Sequence, residues 1–371
     1  MKLRLTISSA DNDLFKLIWG TENGAIDAYF VSKELVDDAS NEVRSVLKDI
    51  AAHYEHCEIN RRNNPDYTQF LPDLALAGEK LAAAVFTRVH GSAESAKDAQ
   101  QYITKLKKRV PLTILFESTP LHAPWNFIFR GDATNIKAPS GTLNDFDDFW
   151  TNIFSIINVS FNRSRLADFD SEPSDKFFVL HALNQEEFTK VKNNLTREEI
   201  DRIKTLLDLP VGSCTDWAST RRTWRSIPDG APRLLYIFGH SDGENIYLAN
   251  DDNSKYRLDL TGFITTFKNQ ADRPASNSIC FVNGCQTGTG CWNASFSNIS
   301  SMLGFQGFIG SECEINNLFA TRYGALFMER LCLEGKSIQQ ALEDLKPAQR
   351  LYPLSLFYTC FAEPQFRLTS N

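Results

Sequence analysis

Two uninterrupted apolar runs, residues 234–238 and 279–282, constrain the fold of this chain more than any other feature. Neither run alternates between apolar and polar residues, as a strand with one wet face would. A run that is apolar throughout is typical of a strand buried on both faces of a parallel sheet. The sequence therefore predicts an α/β fold with a mainly parallel sheet covered by helices on both faces.

A reactive side chain follows each apolar run. His240 comes after the first run and Cys285 after the second, and Gly, Ser and Asn residues surround both. Small residues allow a sharp turn and leave room for the backbone of a ligand. Ligands of open α/β sheets bind outside the carboxyl ends of the strands, so these two side chains are expected to meet over one crevice. A thiolate beside an imidazole base is suited to acyl transfer.

The blocks around these two residues, His-Ser-Asp-Gly at 240–243 and Asn-Gly-Cys-Gln-Thr-Gly at 283–288, resemble the catalytic blocks of CHAT-domain cysteine proteases of compact prokaryotic type. These proteases belong to the caspase and separase clan, clan CD. Further stretches resemble the family in the same order, namely residues 112–114, 123–128, 307–311, 325–331, 335–337 and 341–342. The sequence departs from the family pattern at Ser241, where Gly is usual, and at Asn126, where Glu is usual.

The resemblance implies both a fold and a set of catalytic roles. The fold is a caspase-like three-layer α/β/α sandwich with a mainly parallel sheet, preceded by an N-terminal α+β extension. Cys285 is the nucleophile and His240 the general base, and a third catalytic residue is not expected. The backbone N–H groups of Ser241 and Cys285 form the oxyanion hole. The chemistry requires no metal and no organic cofactor.

Three other residues have chemistry that could compete with these assignments. Cys291 lies in a Gly-rich loop and is the rival nucleophile, whereas Cys280 lies inside an apolar strand and is expected in the core. His181 ends another apolar run, so it either contacts the substrate or is structural.

Acidic residues near the crevice suggest a basis for specificity. In related separases and metacaspases, acidic residues line the first specificity pocket and select Arg or Lys. Glu312 and Glu314 flank Cys313, and a strand would place both carboxylates on one face. The alternative is that both glutamates lie in a solvated loop. Asp242 and Asp216 are further candidates, and a basic residue before the cut is a hypothesis.

Composition excludes several functional classes. The 371 residues carry a net charge of −7 with a pI near 5.5, which argues against a nucleic-acid or anionic-membrane surface. Eight scattered cysteines without a Cys-x-x-Cys pair predict reduced thiols and a cytoplasmic protein without a zinc site. The first residues lack the apolar core of a signal peptide. The run at 251–253 predicts a hairpin turn in preference to a cation site.

The chain is expected to form two regions, an N-terminal α+β region at 1–170 and a catalytic region at 171–371. The polar segment 163–175 is the predicted junction. Expected in the first region are an antiparallel hairpin or meander at 1–32, helices at 33–56, 67–90 and 94–108, and a strand at 112–117. Expected in the second are strands at 177–182, 213–217, 234–239, 279–283 and 307–313, and helices at 198–207, 317–333 and 337–345.

The sequence thus predicts a cysteine endopeptidase that acts on a protein substrate through a thioester acyl-enzyme. Since no repeat or sensor domain is evident, activation would come from a separate activator protein, self-cleavage or dimerisation. Compact relatives are associated with defence, for example by cleaving a gasdermin-like pore former, so antiviral defence is a further expectation. The alternative is a catalytically silent scaffold that binds a peptide in the same crevice. Transglutaminase-like or amidase folds would usually place Cys before His.

Overall fold

The structure, a computed structural model, divides into two compact units, Met1–Arg165 and Leu166–Asn371. The junction predicted at 163–175 lies within residues 161–175, which are outside the described residues. The residues that the structure describes are 2–11, 13–59, 67–87, 89, 95–106, 109–116, 121–136, 140, 143–160, 176–228, 231–250, 253–268, 277–289, 295–346 and 353–368.

The first unit contains a mixed sheet. Its strands are β1 (Leu3–Asp11), β2 (Leu14–Thr21), β3 (Gly24–Ser32), β4 (Val110–Phe116) and β5 (Phe154–Ser160). They lie in the order β3-β2-β1-β4-β5, with the first three antiparallel and β4 parallel to both of its neighbours. Alternate residues of β1 and β2 are buried, and the predicted meander is confirmed.

Helices pack on this sheet through periodic apolar stripes. They are α1 (Lys33–Ile59), α2 (Leu71–Phe86), α3 (Ser95–Thr104) and α4 (Trp150–Ile153), with 3₁₀ turns at Thr68–Phe70, Trp125–Phe127, Ala133–Asn135 and Leu143–Phe146. In α1 the buried residues Val43, Leu47 and Ile50 recur at helical spacing. The three long helices confirm the predicted ones, with ends that differ by a few residues.

The second unit is built on a mainly parallel sheet. Its strands are β6 (Phe178–Leu183), β7 (Val211–Cys214), β8 (Arg233–Phe238), β9 (His240–Ser241), β10 (Asn245–Tyr247), β11 (Arg257–Asp259), β12 (Ser278–Asn283), β13 (Gly307–Ser311) and β14 (Tyr358–Ala362). Within the unit the main sheet has the order β14-β13-β12-β8-β6-β7, and only β14 runs antiparallel to its neighbour among these described strands. The five strands predicted for this region are present, although β13 ends at Ser311 and not at Cys313.

Helices connect these strands. They are α5 (Gln185–Lys192), α6 (Arg197–Leu207), α7 (Trp217–Ser226), α8 (Leu260–Phe267), α9 (Phe296–Met302), α10 (Asn317–Met328) and α11 (Ile338–Leu345). A π-helical turn, Glu329–Leu333, extends α10, and a 3₁₀ turn, Leu354–Phe357, precedes β14. Ser337 caps α11 through a capping box with Gln340, and the helix predicted at 337–345 is confirmed. The sequence analysis missed α5, α7, α8 and α9.

The central strand β8 explains why the sheet is apolar on both faces. Leu235 and Ile237 belong to a core cluster with Trp224 of α7, Phe263 of α8 and Phe296 of α9. The alternate residues Tyr236 and Phe238 face α5, α6 and α10, where they line a small cavity with Phe188, Leu206 and Met328. Because successive side chains of a strand point to opposite faces, the two helix layers enclose the sheet. This is the predicted three-layer α/β/α sandwich.

A short antiparallel sheet stands beside the main one. It consists of β9, β10 and β11 in the order β11-β10-β9, and it begins two residues after β8 ends. Strands of two or three residues carry no readable alternation, so they were not predicted one by one. The antiparallel pairing of β10 with β11 agrees with the hairpin turn predicted between them, at 251–253. No helix in the described part of either unit is long and apolar enough to cross a membrane.

Candidate active site

The register of two neighbouring strands brings His240 and Cys285 to the same edge of the sheet. The parallel strands β8 and β12 pair in register up to Phe238 and Asn283. His240 and Cys285 each follow two residues after that last pair. The loops also touch, because a Cβ atom on Gly284 would lie 2.8 Å from the Gly239 carbonyl oxygen and 3.3 Å from Ser241 Cβ. The two side chains predicted to share a crevice therefore lie on loops in backbone contact.

His240 is exposed and opens β9. It pairs across the short sheet with Tyr247, and the two ring centroids are 5.8 Å apart at an interplanar angle of 36°. The Tyr247 hydroxyl donates a hydrogen bond of 3.0 Å to Asp242 Oδ2. The histidine thus has an aromatic neighbour whose own position is fixed by a carboxylate.

Asp242 organises the turn after His240. Its Oδ1 accepts hydrogen bonds from the backbone N–H groups of Glu244 (3.0 Å) and Asn245 (2.7 Å). Partial burial opposes ionisation of this carboxyl, but the hydrogen bonds outweigh it and lower the pKa of Asp242. Because its oxygens already accept these donors, the residue predicted to bind substrate also holds the histidine loop in shape.

Cys285 is half-buried at the start of a turn, and its thiol lies 3.6 Å from the Ile315 carbonyl oxygen. The next residue, Gln286, has a φ of 55°. This value lies in the left-handed region, which residues with a side chain rarely adopt outside tight turns. Cys280, on β12, is fully buried, and burial raises the pKa of its thiol. The sequence assignment of Cys280 to the core is therefore confirmed, while Cys291 lies outside the described residues.

A buried amide lies directly before the turn that contains Cys285. Asn283, 1% exposed, donates from Nδ2 to the Tyr236 hydroxyl at 2.9 Å and to the Ala320 carbonyl at 2.7 Å. Its Oδ1 accepts from the Tyr358 hydroxyl. One side chain thus joins β8, α10 and β14 to the end of β12. The sequence analysis placed Asn283 in the turn but missed this network, whose members are distant in the sequence.

An open cleft of about 540 Å³ lies beside His240. Its described lining consists of Glu187, His240, Asp242, Tyr247, Ala249, Asn250, Arg257 and Asn317. Of the three acidic residues predicted to bind substrate, Asp242 lines the cleft, whereas Glu312 and Glu314 do not. The cleft instead contains a carboxylate that the sequence analysis missed, that of Glu187.

Glu187 lies in the first turn of α5, which Asn184 caps directly after β6. Its carboxylate accepts hydrogen bonds from Asn250 (2.8 Å), from Lys190 (2.7 Å) and from Asn317. Burial opposes ionisation, but the hydrogen bonds from Lys190 and Asn250 and the positive charge of Lys190 outweigh it and lower the pKa of Glu187. The sequence does contain a signal for this position of Glu187. An N-cap residue directly follows a buried strand, so a helix begins at the edge of the crevice.

The other acidic candidates and His181 have different surroundings. Because β13 ends at Ser311, the strand alternation expected for Glu312 and Glu314 does not apply: Glu312 is 4% exposed and Glu314 is exposed.

Asp216 caps α7 by accepting from the Ser219 N–H. His181 is fully buried, which lowers its pKa to about 4, and its Nε2 bonds to the Leu206 carbonyl. These contacts are structural for Asp216 and His181.

Within the described ranges, no group of three or more His, Cys, Asp or Glu side chains is placed to hold a metal ion. Of the run predicted as a hairpin turn, Asp251 and Asp252 fall outside those ranges.

No protein-family model matches the sequence, and the comparison with curated proteins finds no match. Solved structures do match. Saccharomyces cerevisiae separase, in its complex with securin, has a TM-score of 0.51 and 10% identity, over 98% of this chain and 30% of the separase chain. A second structure of that complex gives 0.41 and 11%, over 90% and 22% of the chains. The Arg-specific cysteine proteinase gingipain R gives 0.44 and 12%, over 75% and 69%.

The similarity to separase, at 10% identity, concerns the fold alone. This similarity agrees with the mainly parallel sheet between two helix layers, so the predicted caspase-like α/β/α fold class is confirmed. This chain spans 30% of the length of the separase that it matches.

Proposed function

We propose that the protein is a cysteine endopeptidase in which Cys285 is the nucleophile and His240 the general base. The observation that carries the proposal is the register of β8 and β12, because it sets a thiol and an imidazole on touching loops at the carboxyl edge of a caspase-like sheet. A binding module would need neither side chain at that edge.

In this mechanism the Cys285 thiol gives its proton to His240 as Sγ attacks the scissile carbonyl carbon. The backbone N–H groups of Cys285 and Ser241 stabilise the negative charge that develops on the carbonyl oxygen. His240 then passes the proton to the leaving amine, and a thioester remains on Cys285. Water, deprotonated by His240, attacks the thioester, and the carboxylic acid product leaves as the thiol is restored.

The experiment that tests the proposal maps new N-termini in a lysate of the host cell. Wild-type protein and Cys285→Ala are incubated in parallel, and mass spectrometry identifies the cleaved peptides. Cuts made by the wild type alone, and sharing a residue before the cut, are expected. If the two proteins give the same N-termini in lysates of both resting and stressed cells, a catalytically silent scaffold explains the site better.

We further propose that the cleft beside His240 receives a basic residue on the acyl side of the cut. Support comes from Glu187, whose lowered pKa keeps its carboxylate negative at neutral pH. Lys190 pairs with that carboxylate, but the Lys190 side chain is 62% exposed. The Glu187 side chain is only 15% exposed, so the water-exposed partner of the pair is Lys190, and a substrate ammonium or guanidinium group is proposed to replace it.

Glu187→Gln is expected to lower kcat/KM for a peptide with Arg before the cut by on the order of 10-fold to 100-fold, since a hydrogen bond to a charged group is lost. A peptide with Leu in that position should be cleaved equally by both proteins. The matched control is Glu186→Gln, which changes an exposed neighbour outside the cleft lining. An equal loss on both peptides would show that Glu187 is structural, and a wild-type kcat/KM for the Leu peptide as high as that for the Arg peptide would refute the basic preference.

A further inference from the structure

A buried hydroxyl lies directly behind the nucleophile turn. Ser311, the last residue of β13, is fully buried, and its Oγ donates a hydrogen bond of 2.7 Å to the Gly284 carbonyl oxygen. That carbonyl belongs to the same peptide group as the Cys285 N–H. Because a peptide group is planar and trans, whatever fixes the direction of the carbonyl also fixes the opposite direction of the N–H.

Ser311 is the main hydrogen-bond donor to the Gly284 carbonyl oxygen. A hydroxyl has one hydrogen to donate. The Ser311 oxygen is 2.7 Å from Gly284 O and 3.0 Å from Cys313 O, so the shorter bond is to Gly284. Thr287 Oγ1 also reaches Gly284 O, at 3.0 Å, but it lies closer to Val282 O, at 2.8 Å.

The turn does not depend on that hydroxyl for its shape. Backbone bonds from Gln286 N to Cys313 O (3.1 Å) and from Gly288 N to Ser311 O (2.8 Å) already tie it to the end of β13. A Cβ atom on Gly310 would lie 2.6 Å from Gly288 N, so the two segments are also in close contact. Removing the Ser311 hydroxyl should therefore leave the turn folded and change mainly the Gly284–Cys285 peptide.

We infer that Ser311 is a positioning residue for the oxyanion hole: its hydroxyl orients and polarises the Gly284–Cys285 peptide, whose N–H faces the developing oxyanion. The inference rests on the proposed peptidase function. A hydrogen bond accepted by an amide carbonyl strengthens the donor at the other end of that amide. A donor held in place before the reaction stabilises developing charge without reorganisation.

The test compares two reagents that form a covalent bond with the Cys285 thiol. A peptide aldehyde matched to the cleavage sequence adds Sγ to its carbonyl carbon, and the resulting hemithioacetal oxygen occupies the oxyanion hole. Iodoacetamide instead transfers its CH₂CONH₂ group to Sγ with loss of iodide, and it develops no oxyanion there. Ser311→Ala is expected to weaken aldehyde inhibition and to lower kcat by on the order of tenfold. KM and the rate of iodoacetamide labelling should stay at the wild-type values.

The control variant is Ser355→Ala, which removes another buried hydroxyl that donates to a backbone carbonyl, that of Lys346, outside the cleft. It should leave aldehyde inhibition unchanged. Ser311→Cys keeps a side chain of similar size with a weaker donor and should fall between wild type and Ser311→Ala, which guards against a folding defect in the alanine variant.

Two results would overturn the inference. Aldehyde inhibition of Ser311→Ala equal to that of the wild type would show that the hydroxyl does not act on the oxyanion hole. A parallel fall in aldehyde binding and iodoacetamide labelling would place the defect in the nucleophile itself. Failure of the wild type to bind any aldehyde or to cleave any peptide would instead refute the peptidase function, and the inference with it.

Discussion

Cys285→Ala and His240→Gln are each expected to lower kcat/KM on a cleaved peptide by on the order of 10⁶-fold, the loss seen when either member of a nucleophile and base pair is removed. The double variant should lose no more than either single variant, because the thiol and the imidazole act as one unit. Rates of the purified proteins on one peptide, with circular dichroism to check folding, make this measurement.

Two cysteine variants provide matched controls for this result. Cys280→Ala removes a fully buried thiol of β12, the strand that precedes the turn of Cys285, five residues before Cys285. It should reduce thermal stability and leave the rate of the folded enzyme unchanged. Cys291→Ala should be fully active. Loss of activity in Cys291→Ala, with activity kept in Cys285→Ala, would transfer the nucleophile role to the rival residue.

Gly284→Ala is expected to lower kcat/KM by on the order of 100-fold, as a displacement of about 1 Å within a reacting pair does. The added Cβ would lie 2.8 Å from the Gly239 carbonyl oxygen. That oxygen is a backbone atom in the loop that carries His240, so it cannot move aside as the end of a flexible side chain could. The loops that carry the thiol and the imidazole must then separate. Peptide kinetics together with thermal unfolding test this expectation.

Gly307→Ala is the matched control for Gly284→Ala. Its Cβ would meet side chains only, at 3.0 Å from Ala362 Cβ and 3.3 Å from Ile338 Cδ1, away from the cleft. It should cost about 1–3 kcal/mol of stability through overpacking and leave kcat/KM of the folded protein unchanged. If Gly284→Ala, like this control, loses only stability and keeps the kcat/KM of the wild type, the contact with Gly239 has no special role in catalysis.

Strands whose burial is evident from a short stretch of sequence could be predicted. Site residues whose position depends on partners far away in the sequence could not. The strands β8 and β12 were evident because each is buried on both faces. The strand alternation argued for Glu312 failed because β13 ends one residue earlier, at Ser311. Glu187 was missed because its place in the cleft depends on Asn250 and Asn317, which are 63 and 130 residues away in the sequence.

The helices α7, α8 and α9 were missed for a related reason. Each is short, with ten, eight and seven residues, and the exposed arginines of α7 conceal its apolar face. Only Trp217, Thr220 and Trp224 of α7 are buried, a stripe too narrow to be read without the neighbouring helix. The partner surfaces in the core cluster, and not intrinsic propensity, decide that these segments are helical.

The amide of Asn283 has a consequence for the timing of protein synthesis. Its Oδ1 accepts from the hydroxyl of Tyr358, which is 75 residues further along the chain. A ribosome has therefore translated His240, Cys285 and the residues of the cleft well before it adds the strand that completes the support beneath the nucleophile. The hydrogen bonds around Asn283 are therefore complete only after β14 has been synthesised and has docked against β13.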